Sequence, residues 1–181
     1  MDCKRSLHAF IVVSIITMFL ISGHVDADGD SCKYSPGHIR LATGHRTRQW
    51  GQMQCCVYCG EPDETRDHLF FACPYTFTLW LNVVGNLFGP DPDPDWKITL
   101  QRMLGGTYER LTYILLRLVW QTTIYFIWRE RNDRRHNGTV KSVDQLARLI
   151  KKSMKNRISS TRYYLKPRLQ GLMQRWFQAH S

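Results

Sequence analysis

Between residues 74 and 160, apolar side chains recur at three- and four-residue steps, interrupted by short runs of glycine, proline and charge. That period gathers apolar groups on one face of an α-helix. Pro74 to Leu87 is predicted as a helix with Phe77, Trp80, Leu81 and Val84 on its buried stripe. Gly89-Pro90-Asp91-Pro92-Asp93-Pro94-Asp95 must end it, since proline lacks the amide donor and restricts the preceding residue. This stretch is expected to be a stiff, extended, acidic spacer. Trp96 to Leu104 reads as a short helix closed by Gly105-Gly106.

Tyr108 to His136 is the longest helical candidate and the expected centre of the fold. Leu111, Leu115, Leu118, Thr122, Tyr125 and Trp128 form its stripe, widened by Ile114, Val119 and Phe126. Arg117 interrupts the apolar run and argues against a membrane span. Arg129, Arg131, Arg134 and Arg135 crowd the last turns, where cations complement the helix dipole. Asn137-Gly138 supplies a left-handed stop. Ser142-Val143-Asp144-Gln145 is a capping box, so the next helix should start at Val143. Val143, Leu146, Ala147, Ile150 and Met154 make its buried stripe, and Lys151, Lys152, Lys155 and Arg157 its basic outer face. In the tail, Tyr163, Tyr164, Trp176 and Phe177 interleave with Arg162, Lys166, Arg168 and Arg175. Aromatics among cations can stack on bases and grip phosphates, or can cover an apolar stripe; the covering role is expected for Trp176 and Phe177.

The N-terminus has a different pattern. Lys4, Arg5 and His8 precede an uncharged run from Ala9 to Ser22. Fourteen helical residues rise about 21 Å, short of a hydrocarbon core of roughly 30 Å. The length suits a signal-peptide core, and Val25-Asp26-Ala27 offers small residues at a cleavage site. An uncleaved anchor through residues 9–22 and a buried core element are the alternatives. Asp26, Asp28 and Asp30 alternate as in a calcium loop, but Ser31 and Gly37 stand where that loop needs glycine and glutamate. The expected organisation is a leader over 1–27, a polar linker over 28–44, a metal-binding segment over 45–89, the Pro/Asp linker over 90–95 and a basic helical segment over 96–181, with 45–181 as one domain.

Charge sharpens this division. The 181 residues carry a net charge of +10, and residues 129–181 alone hold 14 basic and 3 acidic groups, a balance of +11. The other 128 residues balance at −1. Such a localised field attracts polyanions: nucleic acid, acidic protein or anionic membrane.

Cys56, Cys59, His68 and Cys73 follow the pattern C-x2-C-x8-H-x4-C. Two cysteines two residues apart can grip one ion from a tight turn, and Gly60 allows the backbone such a turn needs. Three thiolates and an imidazole complete a tetrahedral zinc shell with no position for water, so one structural Zn2+ is expected. A disulfide framework is the competing reading, but removing the leader with Cys3 leaves five cysteines, an odd number. Cys32 and Cys55 are spare thiols in the zinc reading.

Trp50-Gly51 together with CCVYCGEPDETRDHLFFACPYTFTLW, from Cys55 to Trp80, resembles the reverse-transcriptase zinc-binding domain found near the C-terminus of plant LINE-type retrotransposon polyproteins. The similarity takes in the upstream Leu41 to Trp50, and continues through Ile124 to Asn132 and Gln174 to Phe177, covering about residues 38–180. The resemblance implies Cys56, Cys59, His68 and Cys73 as ligands and nucleic-acid binding as an inherited role. Cys55 and the leader depart from the family pattern. The fold expected is mainly α, a small zinc knuckle packed on an antiparallel helical domain with one long central helix.

Catalysis is not expected. There is no adjacent Asp-Asp pair for a two-metal polymerase centre, no Walker-type phosphate loop and no G-x-S-x-G elbow. The first functional expectation is therefore a non-catalytic zinc module that contacts RNA or DNA without sequence preference, through Arg134, Arg135, Lys151, Lys152, Lys155 and Arg157. No small-molecule substrate is expected. The alternative is a secreted or membrane-anchored protein made by fusing a signal peptide to a retroelement fragment. Asn137, in an Asn-Gly-Thr sequon, would then be a glycosylation site.

Overall fold

A computed structural model describes residues 55–62, 64–136 and 139–181. The expectations for the leader, the 28–44 linker and the Asn137-Gly138 turn, including the sequon, lie outside the described residues. Among those described, the chain forms helices and turns and no strand. A π-helical turn, His68–Ala72, leads into α1 (Pro74–Val84). Then come α2 (Trp96–Gly105), α3 (Arg110–His136), α4 (Val143–Ser160) and α5 (Leu172–Gln178). No described helix is long and apolar enough to cross a membrane.

Helix ends follow local chemistry. Asp95 caps α2 by accepting from the Ile98 amide at 2.8 Å. Glu109 opens α3 by accepting from the amides of Leu111 and Thr112 at 3.0 and 3.1 Å. The capping box forms as expected: Ser142 Oγ accepts from Gln145 N, and Gln145 Oε1 from Ser142 N. Gly85 ends α1 at φ 54°, and a Cβ there would lie 2.1 Å from the Ala179 carbonyl oxygen. That clearance lets the Asn86 amide reach the same carbonyl, while His180 bridges the Trp176 and Val83 carbonyls, fastening the C-terminus to α1.

The long helix α3 contacts α1, α2, α4 and α5, and this corrects its predicted stripe. Thr112, Leu116, Val119, Thr123, Ile127 and Glu130 are buried, along with Leu115, Trp120, Thr122, Ile124 and Arg131. Leu115, Val119 and Thr122 are buried as expected. Leu118 is only half-buried and Tyr125 is 56% exposed. The buried face is centred one residue further along, which turns it by about 100°. In α1, Phe77 is half-buried and Leu81 exposed; Thr76, Leu79, Trp80, Val83 and Val84 form the inner face. In α4, Ile158 joins Leu146, Ala147, Ile150 and Met154 inside, while Val143 is half-buried. Trp176 is buried as expected, but Phe177 is 52% exposed.

An aromatic cluster forms the core beside the knuckle. Phe71 stacks on Trp120 with centroids 4.7 Å apart, and Trp80 meets Trp120 edge-on at 5.6 Å. Trp96 lies 5.0 Å from Trp120 and 5.5 Å from both Phe70 and Phe71. Each such pair adds about 0.5–1.5 kcal/mol beyond the burial of its area. The expected extended spacer is not extended. It bends at Asp91, φ 52°, and Arg102 straps it: its guanidinium donates to the Asp91 and Pro90 carbonyls and lies 4.6 Å from the Phe88 ring centroid.

Candidate metal centre

The knuckle is made by a turn over residues 57–59. The Gly60 amide donates to the Cys56 carbonyl at 2.9 Å, and the Cys56 amide to the Glu61 carbonyl at 2.8 Å. Gly60 takes φ 81°, a value L side chains rarely adopt. These bonds turn Cys56 and Cys59 toward one point. His68 and Cys73 reach the same point by another device. Five residues apart on a regular α-helix, they would point about 140° away from each other. A π-helical turn widens the ring, and the Cys73 amide donates to the His68 carbonyl at 2.8 Å. Thr65 holds the start of that turn by accepting from the His68 amide. Leu69, Phe70 and Phe71 inside it are fully buried.

The four donor atoms all lie within 4.8 Å of one another. Cys56 Sγ and Cys73 Sγ are 3.9 Å apart, and Cys59 Sγ and His68 Nε2 3.2 Å apart. Tetrahedral zinc with Zn–S near 2.3 Å has S···S edges of about 3.8 Å, so one ion fits with a contraction of about 1 Å at most. The donor set also fits: three thiols and an imidazole are borderline-soft ligands suited to zinc. Cys55, Cys56, Cys59 and Cys73 are all free thiols, which removes the disulfide reading for these four. The Cys56–Cys73 hydrogen bond pulls the Cys73 thiol below its ordinary range; the same bond, with burial, pushes Cys56 up. A metal replaces that shared proton. Bound there, zinc supplies a closed structural shell, tying the knuckle to the helix start at Cys73.

Behind the donors lies a polar network that the sequence reading missed. Tyr58, between the two knuckle cysteines, stacks on Tyr75 with centroids 4.6 Å apart and donates to the Ile127 carbonyl at 2.6 Å. Burial pushes the Tyr75 hydroxyl up to about 12 and Tyr58 higher still, so both remain donors. Arg134 lies 4.7 and 4.6 Å from the two ring centroids, and donates to Glu130 at 2.9 Å and to the Lys141 carbonyl at 2.8 Å. Tyr75 donates to that carbonyl too, and Lys141 returns to Glu130 through its amide and Nζ. Burial raises the Glu130 carboxyl, but the bonds from Lys141 and Arg134 together outweigh it and hold its pKa below the ordinary value.

A second pairing anchors the segment between Cys59 and His68. Glu64 is fully buried and forms a two-pronged pair with Arg131, with Arg135 3.3 Å from both carboxylate oxygens. Glu64 and Arg131 are 67 positions apart, so no local pattern could have paired them.

The six cations expected to contact nucleic acid divide into two groups. Arg134 and Arg135 are 10% and 15% exposed and hold carboxylates in the networks above. Lys152, Lys155 and Arg157 are exposed on α4 and Lys151 is half-buried there. Among the described residues, none of these four forms a salt bridge. Burial, followed by the charge of Lys155, lowers the Lys151 pKa.

No curated protein and no solved structure matches the chain. A family model does, over 47 residues, about a quarter of the length, and what it describes is an accessory zinc-binding domain rather than a catalytic one. Residues 34–80 match the family model for zinc-binding in reverse transcriptase, all four donors fall inside the match, and this segment carries the reverse-transcriptase zinc-binding motif.

Proposed function

We propose that the chain is a non-catalytic zinc module, a remnant of a plant LINE-type retroelement polyprotein, that binds RNA or DNA without sequence preference. Zinc holds the knuckle, and the outer face of α4 contacts phosphates. The observation that carries the second half is the row of Lys151, Lys152, Lys155 and Arg157, without salt-bridge partners among the described residues. Arg134 and Arg135 are left out of this surface, because carboxylates already hold them. A shell filled by four protein donors has no position for a reacting water, so the zinc serves architecture in this reading.

Metal analysis and a salt-series titration of the full chain test it. One zinc per chain is expected under reducing conditions, with loss of binding when Cys56, Cys59, His68 or Cys73 is replaced. Replacing Lys151, Lys152 and Lys155 together by Gln should weaken binding to every sequence alike. It should also flatten the log–log salt slope by about 2–3, at 0.7–0.9 per lost phosphate contact. Absence of zinc, or a slope unchanged by the triple substitution, would defeat the respective half.

A further inference from the structure

Phe177 was expected to cover the apolar stripe of α4, yet 52% of it is exposed. Leu172 and Trp176 supply the buried face of α5, at 1% and 2% exposure. Lys155 Nζ lies 5.3 Å from the centroid of this outward ring. Lys155 belongs to the exposed row of cations on α4, so an aromatic face and a positive charge without a salt bridge among the described residues occupy one spot on the surface. Just past the end of α4, Tyr164 is 62% exposed on the turn Tyr163–Leu165, and exposed Arg162 and Arg168 flank it.

Phosphate attraction alone does not distinguish a duplex from a single strand. An exposed aromatic ring beside the cations does, because only an unpaired base can leave its stack and lie on that ring. The geometry points to Phe177 as a base-stacking platform that, with Lys155 on the adjoining phosphate, makes this surface selective for single-stranded nucleic acid. This rests on the nucleic-acid reading above and adds strand selectivity to it. Lys155 supplies charge and orientation, Phe177 supplies the π-face, and Tyr164 offers a second exposed ring beyond the C-terminal end of the helix. Stacking does not involve the sugar, so both RNA and DNA strands fit the platform.

The test is fluorescence anisotropy of the zinc-loaded full chain with a labelled RNA 12-mer, the same DNA 12-mer, and each as a duplex. Phe177→Leu removes the π-face but keeps apolar bulk, and Phe177→Tyr restores the face. Wild type should favour the single strands. Phe177→Leu should weaken at least one single strand by about fivefold or more, leave the duplexes unchanged and keep the salt slope, while Phe177→Tyr should bind as wild type. A loss shared equally by duplexes, or no loss on either strand, overturns the platform. If the lysine triple weakens binding and Phe177→Leu does not, the platform falls and the basic-face reading stands. No wild-type binding at low salt overturns both.

Discussion

Glu64→Ala should be among the most damaging substitutions outside the four metal donors. The Glu64 and Arg131 side chains are 0% and 3% exposed, and Arg131 Nε reaches both carboxylate oxygens at 2.8 and 3.0 Å. Deleting the carboxylate leaves a buried guanidinium without its counter-charge, with Arg135 one helical turn away adding like-charge repulsion. Breaking a buried pair from one side costs about 3–5 kcal/mol, against about 0–1 for an exposed pair. Urea unfolding at saturating zinc measures it. Glu64→Gln should fall between wild type and Glu64→Ala, since it keeps acceptor and volume but loses charge. Combining Glu64→Leu with Arg131→Met should cost well below the sum of the two, because no lone buried charge remains. Glu64 lies between Cys59 and His68, so the single variants should also bind zinc more weakly, tenfold for each ~1.4 kcal/mol expressed in the knuckle, as read by chelator competition. A loss under about 1 kcal/mol for Glu64→Ala, or additivity of the pair within about 0.5 kcal/mol, would refute the reasoning.

Leu116→Ala, at a fully buried site, should cost about 2–5 kcal/mol in denaturant unfolding, and Leu118→Ala, at a half-buried one, clearly less; the reverse order would restore the stripe read from sequence. Gly85→Ala should cost about 1–3 kcal/mol and loosen hydrogen-exchange protection in α5, since it strains φ 54° and drives a Cβ into the Ala179 carbonyl. Gly105→Ala meets nothing within 4 Å and should be neutral or slightly stabilising in the same assay. The Glu130 carboxyl has a folded pKa below its ordinary value of 4.5. Its contribution is therefore complete above that value and is lost as pH falls through the lower folded one. Glu130→Gln should flatten stability against pH in that acid window, and an unchanged slope would remove Glu130 from the acid response.

The metal donors were legible because they are local: Cys56 to Cys73 span 18 residues, and a two-residue gap followed by glycine has few uses. The capping box at Ser142 and the ends of α2 were legible for the same reason, since caps act over three or four residues. The rotation of α3 was not. Leu111 through Trp128 and Thr112 through Glu130 are both plausible stripes, and the choice falls to whichever side α1, α4 and α5 surround. That choice exposes Tyr125 and puts Trp120 in the middle of the aromatic cluster. Charge was ambiguous in the same way. Arg131, Arg134 and Arg135 read from sequence like the cations of α4, yet three-dimensional folding brings Glu64 and Glu130 to them and leaves Lys152, Lys155 and Arg157 facing solvent. Periodicity records how residues repeat along one helix; which cations meet a carboxylate, and which aromatic faces outward, depends on elements far away in the chain. The sequence by itself determined the ligand set and the helical class, because spacing of a few residues suffices for both. The tertiary structure alone decided which basic groups fasten the knuckle and which remain on the surface, because a buried charge must find its partner wherever the chain places it.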